Sequence, residues 1–99
     1  MPQSIAKEQI EALKQQNILL HLVDIRSSAE FEKQHIPGAI NLPVETIEAN
    51  TPQFSKDDMI VCVCNKGHER SQNATDVFTN AGFLKVYYLA GGTLGWLQP

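Results

Sequence analysis

The chain predicts an α/β fold: a three-layer α/β/α arrangement with a mainly parallel central sheet of four to five strands, spanning residues 1–99 as one domain. Three observations carry this. Two short, almost uninterrupted apolar runs, Leu19-Leu20-His21-Leu22-Val23 and Met59-Ile60-Val61-Cys62-Val63, read as strands covered on both faces. Segments with helical spacing of apolar residues alternate with the strand candidates. Glycine and proline punctuate the joints, as at Pro37-Gly38, Gly82 and Gly91-Gly92.

Taken in order, Ser4 is placed to cap a first helix in which Ala6, Ile10 and Leu13 share one face. The first apolar run follows and ends on Asp24. Ser27-Ser28-Ala29-Glu30 has the form of a capping box, opening a short helix that stops near His35. A turn at Pro37-Gly38 leads into a short strand, Ala39-Ile40-Asn41-Leu42. Pro43 starts a second short helix through Ile47, closed by Asn50-Thr51-Pro52. After the second apolar strand, Ala74, Val77, Phe78 and Ala81 mark the buried face of a longer helix that Gly82 ends. Val86-Tyr87-Tyr88-Leu89 is the last strand, and Gly91-Gly92 the last turn.

Composition narrows the function classes. With 42% hydrophobic and 19% charged residues the chain is ordinary globular material. A net charge of −3 gives no bulk attraction for nucleic acid or an acidic membrane, so no such partner is expected. No apolar run nears the roughly 20 residues of a membrane helix. The segment Met1-Pro2-Gln3-Ser4-Ile5-Ala6-Lys7 lacks a signal-peptide layout, so a cytoplasmic location is expected. Cys62 and Cys64, two apart on one strand, project to the same face and are poorly placed for a disulfide. Free thiols fit a reducing compartment.

Ligands of open α/β sheets bind beyond the carboxyl ends of the strands, where Asp24 and Cys64 both fall. Cys64 leaves a buried strand for the tight loop Asn65-Lys66-Gly67-His68-Glu69-Arg70, with a helix about six residues on. Unpaired amides and the macrodipole at that helix start favour a thiolate, and Lys66, Arg70 and His68 add positive charge. Gly67 permits the backbone angles of an amide-lined cradle. The loop therefore suits a nucleophilic thiolate facing an anionic substrate. Cys62, inside its strand, reads as an inert small hydrophobe. Asp24 reads as a brace for the loop after its strand, and Arg26 and Glu30, four apart at a helix start, as a structural ion pair. His35 reads as packing or hydrogen-bonding near the Pro37-Gly38 turn, and Trp96 as core closure near the site. Cys62, Cys64 and His68 lack the four ligands and spacing of a structural zinc site.

In this order, Val23-Asp24-Ile25-Arg26, Glu30-Phe31, His35 through Pro43, the loop Cys64 through Ser71, and Gly82-Phe83 and Val86 with Gly91-Gly92-Thr93-Leu94-Gly95-Trp96 resemble the rhodanese-homology family over nearly the whole chain. The resemblance implies a sulfurtransferase without metal or organic cofactor. Cys64 would take sulfane sulfur from a small anionic donor such as thiosulfate, or from a persulfide, and pass it as a persulfide to cyanide, a thiol or a protein acceptor. Lys66 and Gly67 match thiosulfate-using members. The loop departs from them by one residue: Glu69 stands where a cationic or hydroxyl residue is usual, and Arg70 follows. That Cys-X5-Arg spacing resembles the phosphatase and arsenate reductase branches, although Val63 replaces their histidine before the cysteine. A non-catalytic sulfur-carrier or interaction module is the third reading.

Overall fold

The computed structural model describes residues 2–50, 53–67 and 69–98. In chain order the elements are β1 (Ser4–Ile5), α1 (Lys7–Gln15), β2 (Leu20–Asp24), α2 (Ser28–Lys33), β3 (Ile40–Asn41), a 3-10 turn (Val44–Thr46), α3 (Ile47–Asn50), β4 (Met59–Val63), α4 (Glu69–Asn80), β5 (Lys85–Leu89) and α5 (Gly92–Leu97). The strands form a five-stranded sheet in the order β1-β5-β4-β2-β3, and every pairing is parallel. This is the α/β sheet that the alternating pattern predicts, at the upper end of its strand count.

The period-two alternation of strand side chains divides the core. Ile60, Cys62 and, just past β4, Cys64 join a cluster with Val23, Ile25, Ile47, Phe54, Ala74 and Phe78. Val61 and Val63 face the other way, toward Leu22, Ile10, Ile36 and Leu89. Helices α3 and α4 cover the first face through Ile47, Ala74 and Phe78; α1 covers the second through Ile10. Phe78 is fully buried and meets Phe83 edge-on at 5.3 Å, an arrangement that aligns ring edges with the neighbouring π face.

Three local expectations are corrected. Ser4 does not cap α1. It pairs with Tyr88 in β1, whose neighbours Gln3 and Ile5 accept backbone hydrogen bonds from Tyr88 and Ala90 at 2.9 Å each. Ala6 is the N-cap instead, and its N–H donates to Gln9 Oε1 at 2.8 Å. Secondly, the chain after Gly91-Gly92 is a helix, α5, rather than a turn alone. Thirdly, Trp96 is part-buried against the α1-side cluster, with Lys7 Nζ over its ring at 5.0 Å, and so closes the face opposite Cys64. Thr51 and Pro52, read as the end of the second short helix, lie outside the described residues, as does His68.

From the adjacent strands β2 and β4 the chain departs in opposite directions, from β2 toward β3 at one edge and from β4 toward β5 on the other side. A crevice opens at such a switch point, beyond the carboxyl ends of β2 and β4. Asp24 ends β2 and pairs in register with Val63, the residue before Cys64.

Candidate active site

Cys64 forms the floor of an open pocket of about 260 Å³, lined with Asn65, Lys66, Glu69 and Arg70. These are residues of the one loop singled out in the sequence, now brought around one sulfur atom. Cys64 is 3% exposed, held down by the core cluster it shares with Cys62. Its Sγ lies 3.2 Å from Ser71 Oγ, a buried hydroxyl in the first turn of α4. A serine hydroxyl can donate to a thiolate or accept from a thiol, so Ser71 suits either protonation state. Helix α4 opens at Glu69, and its first N–H groups and dipole favour negative charge at this end.

Two glycines shape the loop. Gly67 has φ +74, and a Cβ there would fall 2.5 Å from the Leu89 carbonyl oxygen and 2.8 Å from Gly91 N. Gly92, at φ +60, would place its Cβ 2.5 Å from the carbonyl oxygens of Cys64 and Asn65. Only glycine combines that backbone angle with so close an approach. The contact positions α5 to donate: Thr93 N–H bonds the Cys64 carbonyl at 2.8 Å, and Leu94 N–H bonds the Asn65 carbonyl at 3.0 Å. With those carbonyls engaged by α5, the loop backbone is tied down on the side away from solvent.

Polar side chains brace the other side. Asp24 and Arg26 are buried and form an ion pair, Arg26 Nη2 to Asp24 Oδ2 at 2.7 Å. Arg26 Nη1 donates to Asn65 Oδ1 at 3.0 Å, and Nη2 also donates to the Gln34 carbonyl at 2.8 Å. Asn41 Nδ2 donates to the carbonyls of Asp24 and Arg26, both at 3.0 Å, fixing the chain as it leaves β2. Asp24 thus connects to the pocket through Arg26 and Asn65.

Glu30 departs from expectation. It does not pair with Arg26, whose guanidinium is committed to Asp24. Its carboxylate receives both ends of the Arg70 fork, Nη1 to Oε1 at 3.2 Å and Nη2 to Oε2 at 3.3 Å, across 40 positions of chain. Asn65 Nδ2 adds a contact to Oε2 at 3.3 Å, and Ser27 N–H and Oγ–H donate to Oε1 at 3.2 and 3.1 Å. The Arg70 hydrogen bonds are the main reason the Glu30 carboxyl is held down to about 2, and Glu30 in turn raises Arg70. Burial, reinforced by charge on Cys64, pushes the Cys62 thiol far above the ordinary cysteine range. The two cysteines therefore differ: Cys62 is locked in strand β4 as a thiol, and Cys64 borders the pocket.

Of the residues singled out in the sequence, Cys64, Asn65, Lys66, Glu69 and Arg70 line one pocket, Gly67 packs its backbone against Leu89 and Gly91, and Asp24 and Arg26 lie behind Asn65. Ser71, the last residue of the loop span that carries the resemblance, lies against Cys64; Glu30, Asn41 and Gly92 are not marked in the sequence as parts of the site. Glu30 carried a visible signal, the capping box, but that motif specifies only its local partner Ser27. His35, read as a packing residue, stacks on Phe31 at 3.8 Å and places its Nδ1 2.8 Å from the Phe31 carbonyl.

Comparison with known proteins agrees with this architecture. The family model for the rhodanese-like domain matches residues 5–99. The thiosulfate sulfurtransferase GlpE of Tolumonas auensis is 35% identical over 76% of this chain and 70% of its own length. The protein of the same name from Pseudomonas syringae is 35% identical over 93% of this chain and 84% of its own. The chain spans 51% of its Bacillus subtilis relative YrkF, about half. Among solved structures, the human single-domain sulfurtransferase TSTD1 superposes with a TM-score of 0.83 at 25% identity, covering 98% of this chain and 96% of the other. Sequence, fold and the loop geometry converge: the chain belongs to the rhodanese-like domain family.

Proposed function

We propose that the chain is a sulfurtransferase that moves sulfane sulfur from thiosulfate or a persulfide donor to a thiol or cyanide acceptor through a persulfide on Cys64. The observation that carries this reading is the position of Cys64, at the floor of the pocket beyond the central strand and at the start of α4. Relatives named thiosulfate sulfurtransferase support it at the level of the family.

In the first step the Cys64 thiolate attacks the outer sulfur of thiosulfate. A new S–S bond forms, the bond to the sulfonate sulfur breaks, and its electron pair leaves with sulfite. With a persulfide donor the leaving group is the donor's thiolate. In the second step the acceptor attacks the terminal sulfur, and the electron pair of the broken bond returns to Cys64 as thiolate. The helix start and the Ser71 hydroxyl lie where they stabilise negative charge on either sulfur species, a preorganised electrostatic contribution.

The Cys64-to-Arg70 spacing supports a second reading, a phosphatase or arsenate reductase using the same thiolate. Arg70 counts against it, because its bidentate donors, suited to a tetrahedral oxyanion, are turned to Glu30. Incubation with thiosulfate followed by intact-protein mass spectrometry separates the two. One added sulfur on the wild type and none on Cys64→Ser is the expected result. An unmodified wild type that hydrolyses an aryl phosphate or reduces arsenate overturns the sulfur reading. A persulfide that forms but turns over negligibly with cyanide or thiol leaves a sulfur carrier.

A further inference from the structure

Among the described residues, Arg70 is one of two cations bordering the pocket, the other being Lys66. Opposite them stand Glu69 on the rim and Glu30 against the Arg70 fork. Asp24 and Arg26 cancel one another in the buried layer beneath. Among the described residues the charges around the pocket therefore balance before Cys64 ionises, and with a thiolate present the balance is negative. A dianion entering the pocket finds no net attraction from these side chains, and the guanidinium that would clasp it already holds a carboxylate.

Exposed ion pairs are individually weak, and Arg70 and Glu30 are 47% and 35% exposed. A ligand could in principle displace one. Glu30, however, does not depend on Arg70 for its position. Ser27 donates to it from the capping box and Asn65 from the loop, and Asn65 is itself anchored on the buried Arg26. Even with Arg70 turned away, the carboxylate stays beside the site of an incoming anion and repels it. Glu30 thus both occupies the fork and supplies the opposing charge.

We propose that Glu30, held in place by Ser27 and Asn65, masks Arg70 against small dianions and directs the pocket toward thiol persulfides, donors of at most one negative charge at the reacting end. This rests on the sulfurtransferase reading for its choice of donor, and on the pocket's geometry for the exclusion of dianions. The favoured loading step is balanced without further reagents: the Cys64 thiolate attacks the outer sulfur of R–S–SH, the S–S bond breaks, and Cys64–S–SH and the donor thiolate R–S⁻ result.

The test reads anion binding without requiring sulfur transfer. Iodoacetamide, a neutral reagent, alkylates Cys64 at pH 8, where an ordinary histidine is uncharged, and sulfate or phosphate at constant ionic strength protects it in proportion to occupancy. Glu30→Gln keeps a capping box, because glutamine serves at that position, and removes the charge. We expect weak protection of the wild type, protection about tenfold tighter in Glu30→Gln, and loss of that gain in Glu30→Gln/Arg70→Gln. The thiosulfate-to-hydroxyethyl-persulfide ratio of kcat/KM rises in Glu30→Gln as well.

A Glu30→Gln protein that binds the anions no tighter than wild type overturns the proposal, as does a gain that survives the loss of Arg70. Glu30→Ala gives an independent check should Glu30→Gln unfold by circular dichroism. Protection tighter than in wild type is expected, and protection no tighter than wild type overturns the idea. If neither donor adds sulfur to the wild type while Glu30→Gln still gains protection, the sulfurtransferase reading and the donor preference fall together, and the masking of Arg70 stands.

Discussion

Arg26 Nε bridges both carboxylate oxygens of Asp24, at 2.9 and 3.1 Å, in a pair removed from solvent at 3% and 0% exposure. Removing one partner of a buried pair leaves an uncompensated charge, which costs more than the pair contributes. Asp24→Ala is therefore expected to destabilise the fold by about 3–5 kcal/mol. Because Arg26 also holds Asn65, loss of donor turnover should accompany the loss of stability. Denaturant unfolding followed by fluorescence of Trp96 measures the first effect.

At Gly67 the constraint is steric. An alanine would need a left-handed backbone and would collide with the main chain at Leu89 and Gly91. Gly67→Ala is expected to cost about 2–3 kcal/mol, lowering Tm by roughly 10–20 °C in a domain of this size. Differential scanning calorimetry reads it directly. An unchanged Tm would show that the loop relaxes without consequence.

The two thiols should separate chemically. In the folded protein at pH 7.5, iodoacetamide is expected to modify Cys64 and leave Cys62 intact, since burial keeps Cys62 protonated and shielded. Peptide mapping by mass spectrometry checks this. Cys62 should react only after denaturant is added.

Acid should reveal Glu30. Its folded-state pKa, about 2, lies below the ordinary value of 4.5, so its contribution is complete above pH 4.5 and is lost as pH falls toward 2. Between those limits the wild type is expected to lose stability more steeply than Glu30→Gln, which has no proton to take up there. The difference should be modest, because the pair is partly solvated and salt-screened. Chemical denaturation of both proteins across pH 2–6, at low and high salt, tests it.

Much of the fold is legible in the chain because its strands and main helix carry periodic signals. Ile60-Val61-Cys62-Val63 alternates between two cores, and Ala74 and Phe78 repeat on the buried side of α4. The two-residue β1 carries no period at all and exists through its pairing with Tyr88 and Leu89. Helix α5 contains Gly92 and Gly95, poor helix formers, and is reinforced by its hydrogen bonds to the Cys64 loop. Within the site, Cys64 and its loop are legible because one contiguous segment supplies them. The Glu30 contact to Arg70 is not, because it depends on tertiary packing that local spacing does not encode. The Arg26–Glu30 spacing suggests a helix pair, and the buried Asp24 wins Arg26 instead.

The bonds from Thr93 and Leu94 to the carbonyls of Cys64 and Asn65 also fix an order of assembly. Strands β2 and β4 can pair as soon as both have left the ribosome, but the loop between β4 and α4 must wait for chain synthesised some thirty positions later, about 3–6 s at rates of 5–10 residues per second. Until Gly92 arrives to fill the space that no other residue fits, the nascent chain carries its thiol on an unfinished loop. The loop that holds the thiol is thus completed only when that later segment is in place.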